Sequence, residues 1–474
     1  MSDIQLNDEQ QAAIIAMLAF IKAENEKFIS LIGAAGTGKT TTIQYLLEQV
    51  TDNTKVCFTA PTNKAVRVLK KMAVQKKLNV ECVTIYSLLG LKVTMQKDKQ
   101  VIKSGGKNKF DKFDLVVIDE MSMCNTELLR FIHRAVDFSY GTQVVFMGDA
   151  CQLPPVGEAM SPAFSINNKV HLTKVMRQRN ESPILGVCTD LRYAIENGAT
   201  TIPSIVSMTN TEGTIGVHVM RGQAFTDWMP SAFSNANFDS NYDRFRIIAW
   251  RNKTVSAYNK YIQALRYPNL TTPLAVGEPI VFSSPLHAIS GNREFCSETP
   301  ILAGWDTILA STEAEGIVEA IEQIQPYTFA PTQQHMSNGF NFRPFTLSRY
   351  AVTCRMIDGD DPLVTCTVTA DKDEIKNILN FISDNISRNT GGFTWFEFWL
   401  LQKYFADIRP AYCQTAHKAQ GSTFENVFVD AIDILANPDR EEALRCLYVA
   451  VSRASHNVVI NDPFFNPFNP SVNL

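Results

Sequence analysis

The 474-residue chain lacks a dominant charge: 44 Lys/Arg stand against 48 Asp/Glu, a formal net charge of −4. That balance excludes a globally basic nucleic-acid coat and an acidic solvating tail. The ten cysteines are scattered, with no C-x-x-C and no close Cys/His cluster. They argue against a zinc module or disulfide framework and for buried thiols in a reducing compartment. No apolar run approaches the roughly eighteen residues of a membrane span. Met1-Ser2-Asp3 opens without a basic region leading into an apolar segment, so the expected location is the cytoplasm. Internal repeats and low-complexity tracts are missing as well. What remains, 45% hydrophobic and 19% charged residues, is a globular chain with ample core and length for about three domains.

The chemistry is concentrated in a few stretches. Gly33-Ala34-Ala35-Gly36-Thr37-Gly38-Lys39-Thr40 follows the apolar run Phe28-Ile29-Ser30-Leu31-Ile32 and precedes a helix-like segment from Thr41 to Val50. Strand, Gly-rich turn and helix are the context a phosphate-binding P-loop requires. The glycines let successive N–H groups point into one concavity, and the helix N-terminus adds partial positive charge. Lys39 can reach the β- and γ-phosphates and the Thr40 hydroxyl can bind Mg²⁺. ATP and Mg²⁺ are therefore the expected cofactors. Upstream, a helix expected from Leu6 to Ile21 carries Gln10 some two dozen residues before the P-loop.

Further on, Leu115-Val116-Val117-Ile118 has the continuous apolar character of a strand buried on both faces, and it ends in Asp119-Glu120. Carboxylates at the carboxyl end of such a strand sit where open α/β sheets bind ligands. Asp119 would hold Mg²⁺ through water and Glu120 would polarise the attacking water. Val144-Val145-Phe146-Met147 leads to Gly148-Asp149-Ala150-Cys151-Gln152, whose glutamine is placed to meet a γ-phosphate. The window from Pro61 to Lys112 holds thirteen Lys/Arg and three acids, a local charge of +10. Beside an ATP site, that excess reads as a phosphate-backbone track rather than a solvated face.

The middle segment, about 266 to 400, is richer in Thr, Ser, Pro and aromatics and poorly periodic. Tyr350 to Met356 and Leu363 to Val368 alternate around Asp358-Gly359-Asp360-Asp361-Pro362, a β-hairpin signal, and Asp373 to Ile386 reads as a helix. Three aromatics within Trp395-Phe396-Glu397-Phe398-Trp399 share a helical stripe, expected to pack inward. Tyr412-Cys413-Gln414-Thr415-Ala416-His417-Lys418-Ala419-Gln420-Gly421 and Leu447-Tyr448-Val449-Ala450-Val451-Ser452-Arg453 close the chain's set of motifs.

Together these stretches, with Ala60-Pro61-Thr62-Asn63-Lys64-Ala65 and Thr84-Ile85-Tyr86-Ser87, resemble the superfamily 1 DNA helicases of the RecD-like branch, especially its Dda-like phage members. The resemblance implies an α/β fold: two RecA-like P-loop NTPase lobes, a small β-hairpin insert in the first and an SH3-like β-rich insert in the second. By similarity the first lobe covers 1–180 with a pin hairpin near 88–112, the second 181–265 and 401–474, and the insert 266–400. It implies ATP contacts from Gln10, Gly33 through Thr41 (Gly33, Ala34, Ala35, Gly36, Thr37, Gly38, Lys39, Thr40, Thr41) and Gly421. Catalysis would rest on Lys39, Asp119, Glu120, Gln152, Arg177 and Arg453, with Thr40 and Asp119 holding Mg²⁺. DNA would meet Pro61, Thr62, Asn63, Lys64, Thr84, Tyr86, Asn252, Thr415, His417 and Lys418. Tyr86 stands where the family commonly carries His, and 281–345 align with nothing in it.

The implied activity is ATP-driven movement 5′ to 3′ along single-stranded DNA with unwinding of forked duplex. A monomer is expected, free of membranes, with single-strand-binding or replication proteins as companions, in the host cytoplasm if phage-encoded. An ATP-switched single-strand-binding protein and a motor subunit of a recombination complex are the alternatives. The pin, lacking aromatics, would separate strands with Met95, Val101 or Ile102 as an apolar wedge.

Overall fold

The computed structural model describes residues 6–23, 25–50, 54–96, 99–175, 182–199, 201–234, 236–295, 305, 307–357 and 362–461. The first strands are β1 (Phe28–Gly33), β2 (Val56–Ala60), β3 (Val80–Thr84), β4 (Leu91–Gln96), β5 (Lys99–Ser104), β6 (Leu115–Ile118), β7 (Gln143–Gly148) and β8 (Lys169–Leu172). Six of them form a sheet ordered β3-β2-β6-β7-β1-β8, with every pairing parallel.

Parallel strands need both faces covered, and the apolar runs provide for that: β2, β6 and β7 are buried along their whole length. Alternate side chains enter opposite layers. Leu115, Val117, Val145 and Met147 meet helices Asp8–Lys22, Lys39–Val50 and Asn63–Gln75. Val116, Ile118, Val144 and Phe146 meet Leu128 and Ile132 of helix Thr126–Asp137 on the other face. Because all six strands run the same way, the P-loop, Asp119-Glu120 and Gly148-Asp149 emerge along one edge.

β4 and β5 pair antiparallel from Leu91↔Ser104 to Gln96↔Lys99, the expected hairpin. One expectation for it fails. Ile102 is buried, packed with Leu91, Leu88 and Phe110 in the second apolar layer, so it belongs to the core and is not a free wedge. An apolar side chain near the base of a hairpin gains more from that layer than from solvent.

The later strands are β9 (Met208–Thr209), β10 (Gly216–Met220), β11 (Phe245–Ala249), β12 (Pro279–Phe282), β13 (Leu286–His287), β14 (Ile308–Ala310), β15 (Glu315–Phe329), β16 (Phe345–Met356), β17 (Leu363–Val368), β18 (Ile408–Pro410), β19 (Cys413–Thr415), β20 (Phe424–Val429) and β21 (Ala454–Asn461). A second six-stranded sheet runs β19-β11-β20-β21-β10-β9. Its β11-β20-β21-β10 core is parallel, and β9 adds an antiparallel edge. The chain packs as two compact units, one of Met1–Ser231, Asp243–Val255 and Gln414–Leu474, the other of Ala232–Tyr242 and Ser256–Cys413. The first contains the two RecA-like sheets.

The other unit is built on an antiparallel sheet, β17-β16-β15-β12-β18. The β16–β17 hairpin pairs Tyr350 with Val368 and Arg355 with Leu363, as its alternation predicts. The expected helix spans Lys372–Ser387. Helix Trp395–Tyr404 lays Leu400, Leu401 and Tyr404 into an aromatic layer, where the Phe295 and Tyr404 rings stack at 4.0 Å. The Trp395–Trp399 stripe packs inward only in part: Trp395 and Phe396 remain 46% and 43% exposed. The nine cysteines among the described residues are all buried, and none of them is in a disulfide. None of the described helices is long and apolar enough to cross a membrane.

The burial of Ile102 sets a test. Ile102→Ala is expected to lower folding stability by about 2–4 kcal/mol, as other buried Ile truncations do, read from the denaturant midpoint. An unchanged midpoint would return Ile102 to the hairpin's exposed surface.

Candidate functional site

The P-loop turns on two glycines with positive φ, Gly36 at +81° and Gly38 at +82°, a conformation that costs other residues strain. Thr37 Oγ1 donates to Ala34 O at 2.9 Å, closing the loop on itself. The Lys39 ammonium donates to Gly33 O at 2.7 Å and Ala34 O at 3.0 Å, so its charge lies over the loop. Gln10 is buried against the same loop and donates from Nε2 to Thr37 O at 3.2 Å. Its Oε1 accepts from Asn7 N, completing a capping box on helix Asp8–Lys22. Its nearness to the P-loop thus has a structural role as well.

β6 delivers the paired acids. Asp119 Oδ1 accepts from Glu120 N at 2.8 Å, and Glu120 itself is left-handed at φ +55°. A non-glycine residue held there costs on the order of 1–3 kcal/mol, and such strain concentrates at functional sites. Glu120 Oε2 is buried without a hydrogen-bond partner. The surrounding protein raises both carboxyls, Asp119 to about 7, although each side chain keeps a partly exposed edge. Lys39 and Arg453 both oppose those rises, so a cation from each sheet acts on the acid pair. The Thr40 hydroxyl and Asp119 offer hard oxygen ligands, a set that fits Mg²⁺. The orphaned Glu120 oxygen fits a site that is polar by design.

The second sheet completes this edge. Gly421, at φ +74°, approaches so closely that a Cβ there would meet Ala65 Cβ at 3.1 Å, Thr62 Oγ1 at 3.4 Å and Glu120 Cγ at 3.6 Å. Gln152 is buried, and its Oε1 accepts from Gln420 Nε2 at 3.0 Å. The same Gln420 amide donates to Ser122 Oγ at 2.8 Å, one turn beyond the acids. Arg453, 7% exposed, is held by Val449 O at 3.1 Å and Ser422 O at 3.2 Å. Arg177 lies outside the described residues.

The residues expected to face DNA share a local design. Thr84 and Thr415 end β3 and β19, Thr62 lies two residues past β2, and each caps the following helix, accepting from Ser87 N, Lys418 N and Ala65 N respectively. A threonine there fixes the helix start and leaves neighbouring N–H groups directed outward. Pro61 is buried at the end of β2, while Asn63 and Lys64 open helix Asn63–Gln75 and Asn252 opens helix Asn252–Arg266, exposed. Lys64 lies 3.7 Å from Asp243 and 4.1 Å above the Phe424 ring. Lys418 is half-buried, and His417 Nε2 stands 3.5 Å from Glu442 Oε1. Burial lowers the His417 pKa against the pull of Glu442. Tyr86 differs from the others: it packs against the second apolar layer, where burial pushes its hydroxyl up to about 12.

Gln420, Arg445, Tyr448 and Asp149 are the site residues that sequence reasoning passed over. All four lie inside or beside the motifs quoted above, but their partners are hundreds of residues away in the chain. Tyr448 Oη accepts from Ala35 N at 3.1 Å and donates to Asp149, and Arg445 Nη1 donates to Ala150 O at 2.6 Å.

Two family descriptions match the chain: AAA domain over residues 5–217, and UvrD-like helicase C-terminal domain over 410–460. An uncharacterised protein of Acanthamoeba polyphaga mimivirus is 26% identical over 500 residues, 95% of this chain and 99% of its own. The ATP-dependent DNA helicase dda of Enterobacteria phage T4 is 25% identical over 472 residues, 96% of this chain and 98% of its own. Among solved structures, a Pif1 helicase described as unwinding forked double-stranded DNA covers 98% of this chain and 93% of its own at 18% identity, with a TM-score of 0.49.

The raised Glu120 carboxyl makes a signed prediction. A carboxyl whose folded-state pKa lies above its unfolded value costs stability once pH exceeds the unfolded value, and costs nothing below it. Glu120→Gln is therefore expected to melt above the parent at pH 8, with the gap closing toward pH 4. A variant melting below the parent at pH 8 would mean that the charge of Glu120 is net stabilising.

Proposed function

The chain belongs to the superfamily 1 helicases related to Dda, Pif1 and RecD, and from that premise we propose that it is an ATP-dependent DNA helicase moving 5′ to 3′ on single-stranded DNA. The reading rests on the half-buried acid pair Asp119-Glu120, where the positive charges of Lys39 beside one sheet and Arg453 beside the other both favour the ionised carboxylates. A triphosphate between them would be neutralised from both sides, and hydrolysis would remove the charge that holds the sides together.

In this reading Lys39 and the P-loop amides bind the phosphates, and Thr40 and Asp119 would hold Mg²⁺, which would supply charge neutralisation there. Glu120 takes a proton from the attacking water. Its raised pKa marks a carboxylate whose environment favours accepting that proton. Arg453 and Arg177 meet charge that develops in the transition state, Gln152 senses the γ-phosphate, and Gln10 lies against the adenine. The capping threonines Thr62, Thr84 and Thr415, with Pro61, Asn63, Lys64, Asn252, His417 and Lys418, form the DNA track. Lobes at 1–180 and at 181–265 with 401–474 grip the strand alternately, while 266–400 form an SH3-like insert. The hairpin β4–β5 serves as the pin at the fork, with Met95 or Val101 left as its wedge.

Removal of a protein roadblock from one end of a single strand tests this directly. The purified chain with ATP is expected to clear a block bound at the 3′ end and leave one at the 5′ end in place. Lys39→Ala should clear neither. Clearance of the 5′ block alone would reverse the direction. Binding of single strands without clearance at either end would make the protein an ATP-switched binder.

A further inference from the structure

Helix Arg440–Ser452 is packed in the second sheet's apolar layer, yet it sends polar side chains across to the first sheet. Arg445 Nη1 donates to Ala150 O at 2.6 Å and Gln152 O at 3.0 Å, gripping the loop that follows β7. One turn later the Tyr448 hydroxyl donates to Asp149 Oδ2 and accepts from the P-loop N–H of Ala35 at 3.1 Å. Asp149 is itself fixed, its Oδ1 accepting from Cys151 N at 3.0 Å. Tyr448 is 1% exposed, so its oxygen is fully committed to these two partners. Arg453 caps the same helix. One helix therefore bonds to the P-loop and the loop after β7, and the charge of its capping Arg453 acts on the acid pair.

We infer that Tyr448 is a positioning residue that reports the nucleotide state, because its oxygen and a phosphate oxygen compete for the same P-loop N–H. This rests on the P-loop reading given above. An N–H has one strong acceptor direction, and that of half-buried Ala35 is taken by Tyr448 Oη. When a triphosphate takes that N–H, the tyrosine keeps only Asp149. Its ring then has room to turn, since a cavity of about 220 Å³ lined by Ala34, Ala35, Thr173, Cys188 and Arg192 borders it. The displacement passes along the helix to Arg445 and the carbonyls it holds. From there it reaches Gln152 and its bond to Gln420, beside the 415–418 stretch assigned to DNA. Burial and the Asp149 carboxylate hold the Tyr448 hydroxyl protonated, so it remains a donor to Asp149 throughout.

Tyr448→Phe keeps the ring and removes the competitor. Exchanging one neutral hydrogen bond is worth roughly 0.5–1.5 kcal/mol. The variant is therefore expected to bind a non-hydrolysable ATP analogue about three- to tenfold more tightly than the parent. The analogue's effect on single-strand affinity should shrink toward none. A purely structural tyrosine would instead give weaker or equal analogue binding in the variant, and that result overturns the inference. Should the Phe variant fail to fold, Asp149→Asn, which loosens the hold on the hydroxyl, is expected to tighten analogue binding at least about twofold, and no tightening overturns the inference. The two readings separate in the parent: if it binds no analogue, the P-loop assignment falls and takes this with it. If it binds and Tyr448→Phe matches it, only the role of Tyr448 falls.

Discussion

The loop Asp149–Leu153 gathers hydrogen bonds from three side chains of the second RecA-like sheet's layer, and the rest of the site depends on it. It leaves the first sheet at the end of β7, between the strands that carry the P-loop and the acid pair. Tyr448, Arg445 and Gln420 of the second sheet all bond to it. Such a joint differs from an apolar one. Dispersion between packed side chains changes little when a ligand arrives, whereas hydrogen bonds have discrete partners that can be exchanged. A phosphate group can compete for an N–H; it cannot compete for a leucine.

The parallel sheet makes that joint possible. With every pairing in the first sheet parallel, all its strand ends reach one edge, and three of them bring Lys39, Asp119 with Glu120, and Asp149 within electrostatic reach. The cost of taking carboxylates out of water there, with their mutual repulsion second, is visible in the raised Asp119 and Glu120, the left-handed Glu120 backbone and its unpartnered oxygen. Destabilisation of this kind persists only where a packed scaffold over-determines it. The fully buried strands β2, β6 and β7 supply that scaffold.

Much of this was legible in the sequence because it is local. A Gly-rich turn between an apolar strand and a helix, or two acids closing a four-residue apolar run, needs only its neighbours to be understood. The parallel sheets followed from those continuous runs, and the β16–β17 hairpin from strict alternation. The joint was not legible, because Tyr448 and Ala35 are 413 positions apart and Gln420 and Gln152 are 268 apart. Ile102 shows the same gap at short range. Alternation in β4–β5 announces a hairpin, but the buried face is set by Leu88 and Phe110, which the alternation does not contain. The unit around β15 was opaque for a different reason. Its fifteen-residue strand is buried at one end and largely exposed through the middle, with two register shifts, so no single period describes it.

Hydrogen exchange in the nucleotide-bound and nucleotide-free protein measures most directly whether the joint responds to phosphate. Adding a non-hydrolysable ATP analogue, without DNA, is predicted to change amide exchange in 149–153 and 415–422 together with the P-loop. A change confined to 33–41, with both joint segments exchanging as before, would contradict the account.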